Sequence, residues 1–583
     1  MNNSEYENSQ MYKIRHSAEH VFAQAVKEIY GDKVQLGVAH ISEVGFANDA
    51  KWSVELKPED FEKIEKKMQE IIDADLPIVR KEISVEEARE MFKNNPFKLE
   101  WVEQWSNEGK GLTVYWTGDS YVDLCKGPHV EKTGEIKAFK LMNIAGAYWR
   151  GDEKNEMLTR VYGVAFENKE ELDKYLFMLE EAKKRDHKIL GPKLGLFMFH
   201  ESSPGMPYWL PNGLKLYNEL VAFWRKEHDI HNYKEISSPL LNKKELYETS
   251  GHWEHYKDDM FIADMGENEV YGVKPMNCPN AMLVFKSMQI SYKDLPLRLS
   301  DTDRLHRYER SGTLNGLLRV RSFQQDDSHN YISEDMIESE YEHVFELCKK
   351  FYSIFGLEYS FRMGTRPEGF LGDIETWNTA EEALRKVLSK SGKDYYIEEG
   401  DGAFYGPKVD ILMKDSLGRQ WQMGTIQLDF QQPRRFELEY TDKDGSKKTP
   451  IAIHRVIYGS LERFIGIIIE HFAGSFPVWI SPVHATILPI STDKHGDYAN
   501  SLAKELKSAG LRVEVDSNAE TLGNRIRKAQ EQKIPYVIVI GDKEMQNNSV
   551  NVRLRGGESL GEMSLEEFKN RTLEKISSKA LDL

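Results

Sequence analysis

Between residues 304 and 329 the chain reads RLHRYERSGTLNGLLRVRSFQQDDSH, and no other stretch restricts its fold and chemistry as tightly. Five arginines, Arg304, Arg307, Arg310, Arg319 and Arg321, flank a glycine-containing turn, and the segment closes on Asp326, Asp327 and His329. Two strands joined by a loop at residues 311–316 are expected, forming a hairpin whose faces carry guanidinium groups. Such a surface holds phosphate through bidentate, charge-assisted hydrogen bonds. The two carboxylates and the imidazole add groups for a cation, an amine or a hydroxyl. Taken alone, the arginines suit an exposed, salt-bridged hairpin better.

The rest of the chain gives that hairpin a large protein to sit in. At 583 residues, with 40% hydrophobic and 11% aromatic residues, several domains with real cores are expected. The polar start MNNSEYENSQ lacks the features of a signal peptide. No apolar run approaches the ~18 residues of a membrane span. Three cysteines, Cys125, Cys278 and Cys348, are an odd and widely spaced set, which argues for a reducing, cytoplasmic setting rather than a disulfide framework. The net charge of −17 does not exclude RNA, because residues 484–583 carry 15 basic and 15 acidic side chains and the excess acid lies before them.

Three blocks follow from periodicity. The first, to about residue 165, mixes charged helical segments with strand-like runs, and a charged helical connector with Leu172, Leu176 and Leu179 at helical spacing leads out of it. The second spans roughly 190–480 and contains the arginine hairpin. The third alternates ATILPI, a helix stopped by Gly510, LRVEVD, a helix around NRIRKAQEQK, YVIVI, VNVRLR and a last helix, the pattern of a small α/β domain with a largely buried sheet.

The second block carries words that give the hairpin a context: KPMNCPN at 274–280, RPEGFLG at 366–372, GAFYGPK at 402–408, GTIQLDF at 424–430 and HRVIYGSLERF at 454–464. With RYERSGTLNGLLRVRSFQQDDSH they closely resemble the threonyl-tRNA synthetases, a class II aminoacyl-tRNA synthetase family, in order and over nearly the whole chain. The resemblance implies an α+β multidomain protein. Its parts would be an N-terminal α/β editing domain with a connector helix (1–187), a class II antiparallel-sheet catalytic core (188–480) and a C-terminal α/β anticodon-binding domain (481–583). The family's small extra N-terminal domain is not expected in this chain. The end of the segment 211–239 resembles motif 1, which implies a homodimer.

The implied activity is ATP-dependent ligation of threonine to tRNA(Thr). Arg307, Glu309, Arg319, Phe323, Gln422, Thr425 and Arg463 would hold ATP with its magnesium. A carboxylate attacking the α-phosphorus builds negative charge there, which Arg307, Arg463 and Lys408 would stabilise. Met276, Gln325, Asp327, Tyr405, Lys408, Gln427 and Ser460 would contact threonine. Cys278, His329 and His454 match the family's zinc ligands, one ion per chain. Their separations of 51 and 125 residues would not suggest a metal site by themselves. A zinc with an open position would chelate threonine's amino and hydroxyl groups and reject valine, with Asp327 accepting from the hydroxyl. Serine keeps both groups and lacks only a methyl, worth ~1–3 kcal/mol, so a second sieve is required.

HSAEH places His16 and His20 on one helix face, and CKGPH supplies Cys125 and His129 from an expected loop. With Asp123 and LMNIAGAYWRGD at 141–152 these resemble the family's editing site, which implies hydrolysis of mischarged seryl-tRNA. Spacing alone leaves a Cys-His₃ metal site open. Phe46-Ala47-Asn48 stands where relatives often carry aromatic residues near that pocket, and Tyr308, Ala281 and Gln324 also depart from common family residues. In the last block Arg525, Arg527 and Lys528 on a helix and Arg553 and Arg555 on a strand form basic clusters suited to phosphate; by family analogy Glu544 and Arg553 would read anticodon bases. A synthetase-derived RNA-binding protein, or a hydrolase of mischarged tRNA alone, would have no need of the ATP arginines and zinc ligands that this chain carries.

Overall fold

The computed structural model describes residues 6–266 and 269–583. The chain divides into two compact units, Met1–Glu180 and Glu181–Leu583.

The first unit is built around the helix Gln10–Tyr30, started by the Ser9 hydroxyl and stopped at Gly31, where φ is +57°. From Ile14 to Val26 every side chain of this helix is buried, His16, Glu19 and His20 included. It packs with the helix Phe61–Asp73 on an antiparallel sheet ordered Val34–Ile41, Gly45–Trp52, Met157–Phe166, Ala138–Tyr148. A second antiparallel sheet, Ile78–Ile83, Leu112–Thr117 and Tyr121–Leu124, carries the helix Pro96–Asn107. Pro96 at the first position and the Asn95 side chain, which accepts from the Phe97 and Lys98 amides, start that helix.

An eight-stranded sheet organises the second unit. Its order is Lys234–Glu235, Leu297–Asp301, Asp327–Ile332, Ile451–Val456, Gln420–Asp429, Lys408–Lys414, Glu358–Gly364, Tyr395–Glu398. All pairs are antiparallel except the outermost one at each edge. The inner strands alternate little: Asp327–Ile332 is buried at all six positions, as a strand covered on both faces must be. The helices Pro211–Ile230, Ile337–Ser353 and Leu461–His471 supply the apolar cover, with Trp224, Tyr341, Phe351 and Phe464 fully or nearly fully buried.

The arginine hairpin differs from its expected form. Continuous strand pairing covers only Arg304–His306 against Ser322–Gln324, with one isolated bridge between Asn315 and Arg319 near the tip, so the connection is far longer than residues 311–316. The cause lies in competing partners. The Arg321 amide donates to the Gly205 carbonyl (2.7 Å), and its guanidinium donates to the Glu309 carbonyl (2.8 Å), which draws this segment out of the ladder.

The third block follows its expected alternation and adds a strand. Its sheet is ordered Val513–Val515, Ala485–Pro489, Tyr536–Ile540, Ser549–Leu554, Ser559–Ser564. The first three strands are parallel and the last two antiparallel. Arg555 falls just beyond the fourth strand, and its guanidinium donates to the Phe476 carbonyl.

Candidate active sites

Register builds the first site. Lys408 pairs with Gln427, Gln427 with His454, and His454 with His329, so four side chains from four neighbouring strands form one rank across the sheet. Two residues along lies a second rank on the same face, Arg362, Asp410, Thr425 and Val456. Cys278 enters from the first position of the helix Cys278–Lys286. Its sulfur and one ring nitrogen from each of His329 and His454 lie within 4.8 Å of one another.

The polar atoms of this trio support a metal. Both ring nitrogens of His329 are buried without a protein partner, as is Nδ1 of His454. The other nitrogen of His454, Nε2, is 2.8 Å from the Asp429 carboxylate, which fixes the ring as outer carboxylates do for metal-bound histidines. Orphaned buried nitrogens are costly, and a soft-to-borderline cation held by one thiolate and two imidazoles would satisfy one nitrogen of each ring, leaving the second nitrogen of His329 without a protein partner. Asp301, Asp327 and His329 form a second close group.

Beside the trio opens a cleft of about 510 Å³ that collects most of the expected substrate residues: Met276, Arg307, Gln325, Asp327, Tyr405, Lys408, Thr425 and Gln427. Asp327 accepts from Asn277 Nδ2 at 3.0 Å, and burial pushes its carboxyl up to about 6. Tyr405 donates to Gln427 at 2.5 Å. Ser460 sits opposite Gln325 through an isolated bridge, and its hydroxyl caps the helix Leu461–His471. Asp326, read as a candidate ligand, faces away from this chemistry: it is buried and accepts from the amides of Ile457, Tyr458 and Gly459.

The expected nucleotide residues fall into several local groups. Arg307 lies 5.2 Å from the Phe323 ring centroid, and Phe323 packs on Leu305 and Val320. Glu309 and Arg319 pair at 2.9 Å. Arg463, beginning its helix beside Trp421, keeps a buried Nε without a partner, and burial with the nearby Arg319 charge lowers its basicity. An anion there is strongly favoured. Gln422 and Thr425 both donate to one oxygen of Asp410, at 2.9 and 2.8 Å, while Arg362 and Lys408 approach the other at 2.7 and 3.2 Å. Asp410 and Arg362 were not anticipated. The available signal was period two in KVDILMK, which puts Lys408 and Asp410 on one face of an otherwise apolar strand.

The second site lies wholly in the first unit. His16, His20, Cys125 and His129 converge within 4.8 Å, the last two from the loop after Tyr121–Leu124. Cys125 Sγ is 3.2 Å from His16 Nε2 and 3.3 Å from His129 Nε2, and Ser17 Oγ meets His129 Nδ1 at 3.1 Å. Burial holds all three imidazoles neutral, His16 down to about 3, His20 to about 4 and His129 well below its usual value. It also pushes the Cys125 thiol up to about 12. A neutral, thiol-bearing cluster of this kind suits hydrogen bonding to a substrate and a water; it would have to lose a proton to bind a metal. Asp123 is buried against Lys98 Nζ at 2.6 Å. Glu19, bonded by Asn48 at 2.5 Å, is pushed up to about 8 by burial and by Asp123. Lys98 and Glu19 were also not anticipated; Glu19 lies inside HSAEH beside His20, whereas nothing in the local sequence marks Lys98. Asn48 thus has a partner in this pocket, and Phe46 is buried in the core beneath.

The basic clusters of the last block separate. Arg525 is buried and donates to the carbonyls of Asp516 and Pro489, so it has a structural role and is not open to phosphate. Arg527 and Lys528 pair with Glu531 and Glu520. Glu544 accepts from the Gly541 amide at 2.9 Å, capping Asp542–Asn547, whereas Arg553 is exposed.

Three family models match the chain. They are a threonyl and alanyl tRNA synthetase second additional domain over residues 112–162, a tRNA synthetase class II core domain (G, H, P, S and T) over 261–472, and an anticodon binding domain over 482–575. The threonine–tRNA ligase of Thermotoga petrophila is 49% identical over 98% of this chain and 89% of its own length. That of Acetivibrio thermocellus is 49% identical over 97% and 88%. The crystal structure of the RNA binding domain of threonyl-tRNA synthetase from Cryptosporidium parvum Iowa II superposes with a TM-score of 0.64 at 42% identity, covering 68% of this chain and 98% of that one. With its class II core, anticodon-binding domain and second additional domain, the chain belongs to the threonine–tRNA ligase family.

Proposed function

We propose that this chain activates threonine with ATP, transfers it to tRNA(Thr), and clears seryl-tRNA at the His16–His20–Cys125–His129 cluster. The observation that carries the reading is the single rank Lys408, Gln427, His454 and His329 beside Cys278. It joins a metal-ligand trio to a cleft lined by cationic and hydrogen-bonding groups.

Cys278, His329 and His454 would hold zinc, which supplies Lewis-acid chelation of an amino and a hydroxyl group. Asp327 accepts from the substrate hydroxyl, and Gln427, oriented by Tyr405, lies one strand from Lys408. Valine fits the shape and leaves these groups unpaired, a mismatch worth ~10⁴–10⁵ in selectivity. Arg307 and Arg463 then neutralise charge on the phosphates as the threonine carboxylate attacks and pyrophosphate leaves; magnesium accompanies the nucleotide. Asp410 holds Gln422 and Thr425 for the nucleotide and Lys408 for threonine from one buried carboxylate.

Serine passes this filter, and the separate cluster in the first unit answers it. His16, His20 and His129 are neutral there, able to orient a water and the ester without a metal. The chain is expected to act as a homodimer in the cytoplasm, with the domain division 1–187, 188–480 and 481–583. Charging of tRNA(Thr) with labelled threonine, followed by deacylation of seryl-tRNA by the same protein, tests the two halves separately; absence of charging refutes the ligase reading.

A further inference from the structure

The cleft beside the His16–His20–Cys125–His129 cluster has a wall that ester hydrolysis leaves unexplained. The helix Pro96–Asn107 presents Lys98, Trp101 and Trp105 to it, at positions i, i+3 and i+7 of one stripe. Lys98 is sunk against Asp123. The two indoles are half-buried and pack on the core around Val102, Leu112 and Leu124. Each is also met by a cation. The exposed Lys126 places Nζ 4.3 Å from the Trp105 ring centroid, and the Arg150 guanidinium lies 4.6 Å from that of Trp101. Arg150 is held at a positive φ of 56° and tied to Glu100 at 3.0 Å.

Aromatic faces paired with cations are what unpaired RNA recognises: bases stack on the rings and phosphates meet the charges. The stripe rises about 10 Å along the helix axis, enough for two or three stacked bases at ~3.4 Å each. We propose that Trp105 and Lys126, with Trp101 beside them, form a subsite for the unpaired nucleotide that precedes the terminal aminoacylated adenosine. Its base takes the ammonium's place on the Trp105 ring, and Lys126 moves to the neighbouring phosphate. The proposal rests on the hydrolytic reading of this cleft.

The test uses the full chain on two substrates: seryl-tRNA, and a seryl-adenosine fragment without upstream nucleotides. Trp105→Ala is expected to lower kcat/KM for seryl-tRNA by about 5–150-fold, through KM, with Trp105→Phe recovering most of the loss. Lys126→Ala gives a smaller loss and a shallower salt dependence. The fragment is hydrolysed equally by wild type and Trp105→Ala, which reports an intact first unit, and threonine-dependent ATP–pyrophosphate exchange is unchanged in both variants. A wild-type KM for seryl-tRNA in both alanine variants overturns the subsite, as does an equal loss on fragment and tRNA. If the wild-type chain hydrolyses neither substrate, the hydrolytic reading fails, and binding decides the subsite. A fluorescent RNA with a single-stranded 3′ end then binds Trp105→Ala more weakly by the same factor if the subsite stands, and equally if it does not.

Discussion

His329 and His454 stand directly opposite one another on adjacent antiparallel strands, their ring centroids 5.0 Å apart and their planes 86° apart. A pair in that geometry can direct two nitrogens at one point, and Cys278 completes the set. His329→Asn is therefore expected to reduce bound zinc from about one per chain to near none and to abolish threonine activation, with the sheet intact. Metal analysis beside circular dichroism checks this; retention of zinc by the variant would contradict the ligand assignment. Chelation of wild-type protein should reproduce the loss, reversibly on zinc addition.

Asp410 holds Gln422, Thr425 and Lys408, the contacts proposed for ATP and threonine, through one buried carboxylate. Asp410→Asn removes the charge from hydrogen bonds worth ~1.5–3 kcal/mol each. A rise of roughly tenfold or more in KM is expected for both ATP and threonine, since both sets of contacts loosen. Steady-state pyrophosphate exchange measures it, and an effect on one substrate only would show that Asp410 does not couple the two.

Lys98 and Asp123 form an ion pair with both partners buried. Removing one partner from such a pair costs about 3–5 kcal/mol, whereas replacing both is milder. Lys98→Met should thus destabilise the protein more than the double variant Lys98→Met/Asp123→Leu, by chemical denaturation. Equal or reversed effects would contradict that coupling between the two charges.

A pH dependence follows from His484, buried in the last block with Nδ1 accepting from the Arg512 amide. Burial, and then the Arg512 charge, lowers its pKa from 6.5 to about 3. The unfolded chain takes up a proton below pH 6.5 that the folded chain refuses. Its contribution to stability is therefore complete above 6.5, falls by about 2 kcal/mol by pH 5, and is exhausted near pH 3. His484→Asn should flatten the decline of the unfolding midpoint between pH 7 and 5; an unchanged slope would place the proton uptake elsewhere.

How far the sequence carried this reading depends on the distance over which each feature is built. His16 and His20, one helical turn apart, could be placed on a common face from spacing alone, and the strand–helix alternation of the last block gave its sheet apart from the final strand. The Cys278, His329 and His454 trio could not be derived that way, because sheet register alone brings residues 125 apart into one rank; only the family words pointed to it. Lys98, Glu19 and Asp410 stayed invisible because their partners are distant in sequence, and a charged residue in a helix or strand ordinarily faces water. The basic face expected at Arg525 failed for the same reason in reverse: its guanidinium is spent on backbone carbonyls.

If threonine is selected by chelation and hydrogen bonding at the Cys278–His329–His454 trio, amino-acid-dependent ATP–pyrophosphate exchange with threonine, serine and valine, on protein of measured zinc content, reads that selection out. Strong exchange with threonine, weaker exchange with serine and almost none with valine is the expected result. Exchange with valine approaching that with threonine, or none with any of the three on zinc-loaded protein, would contradict it.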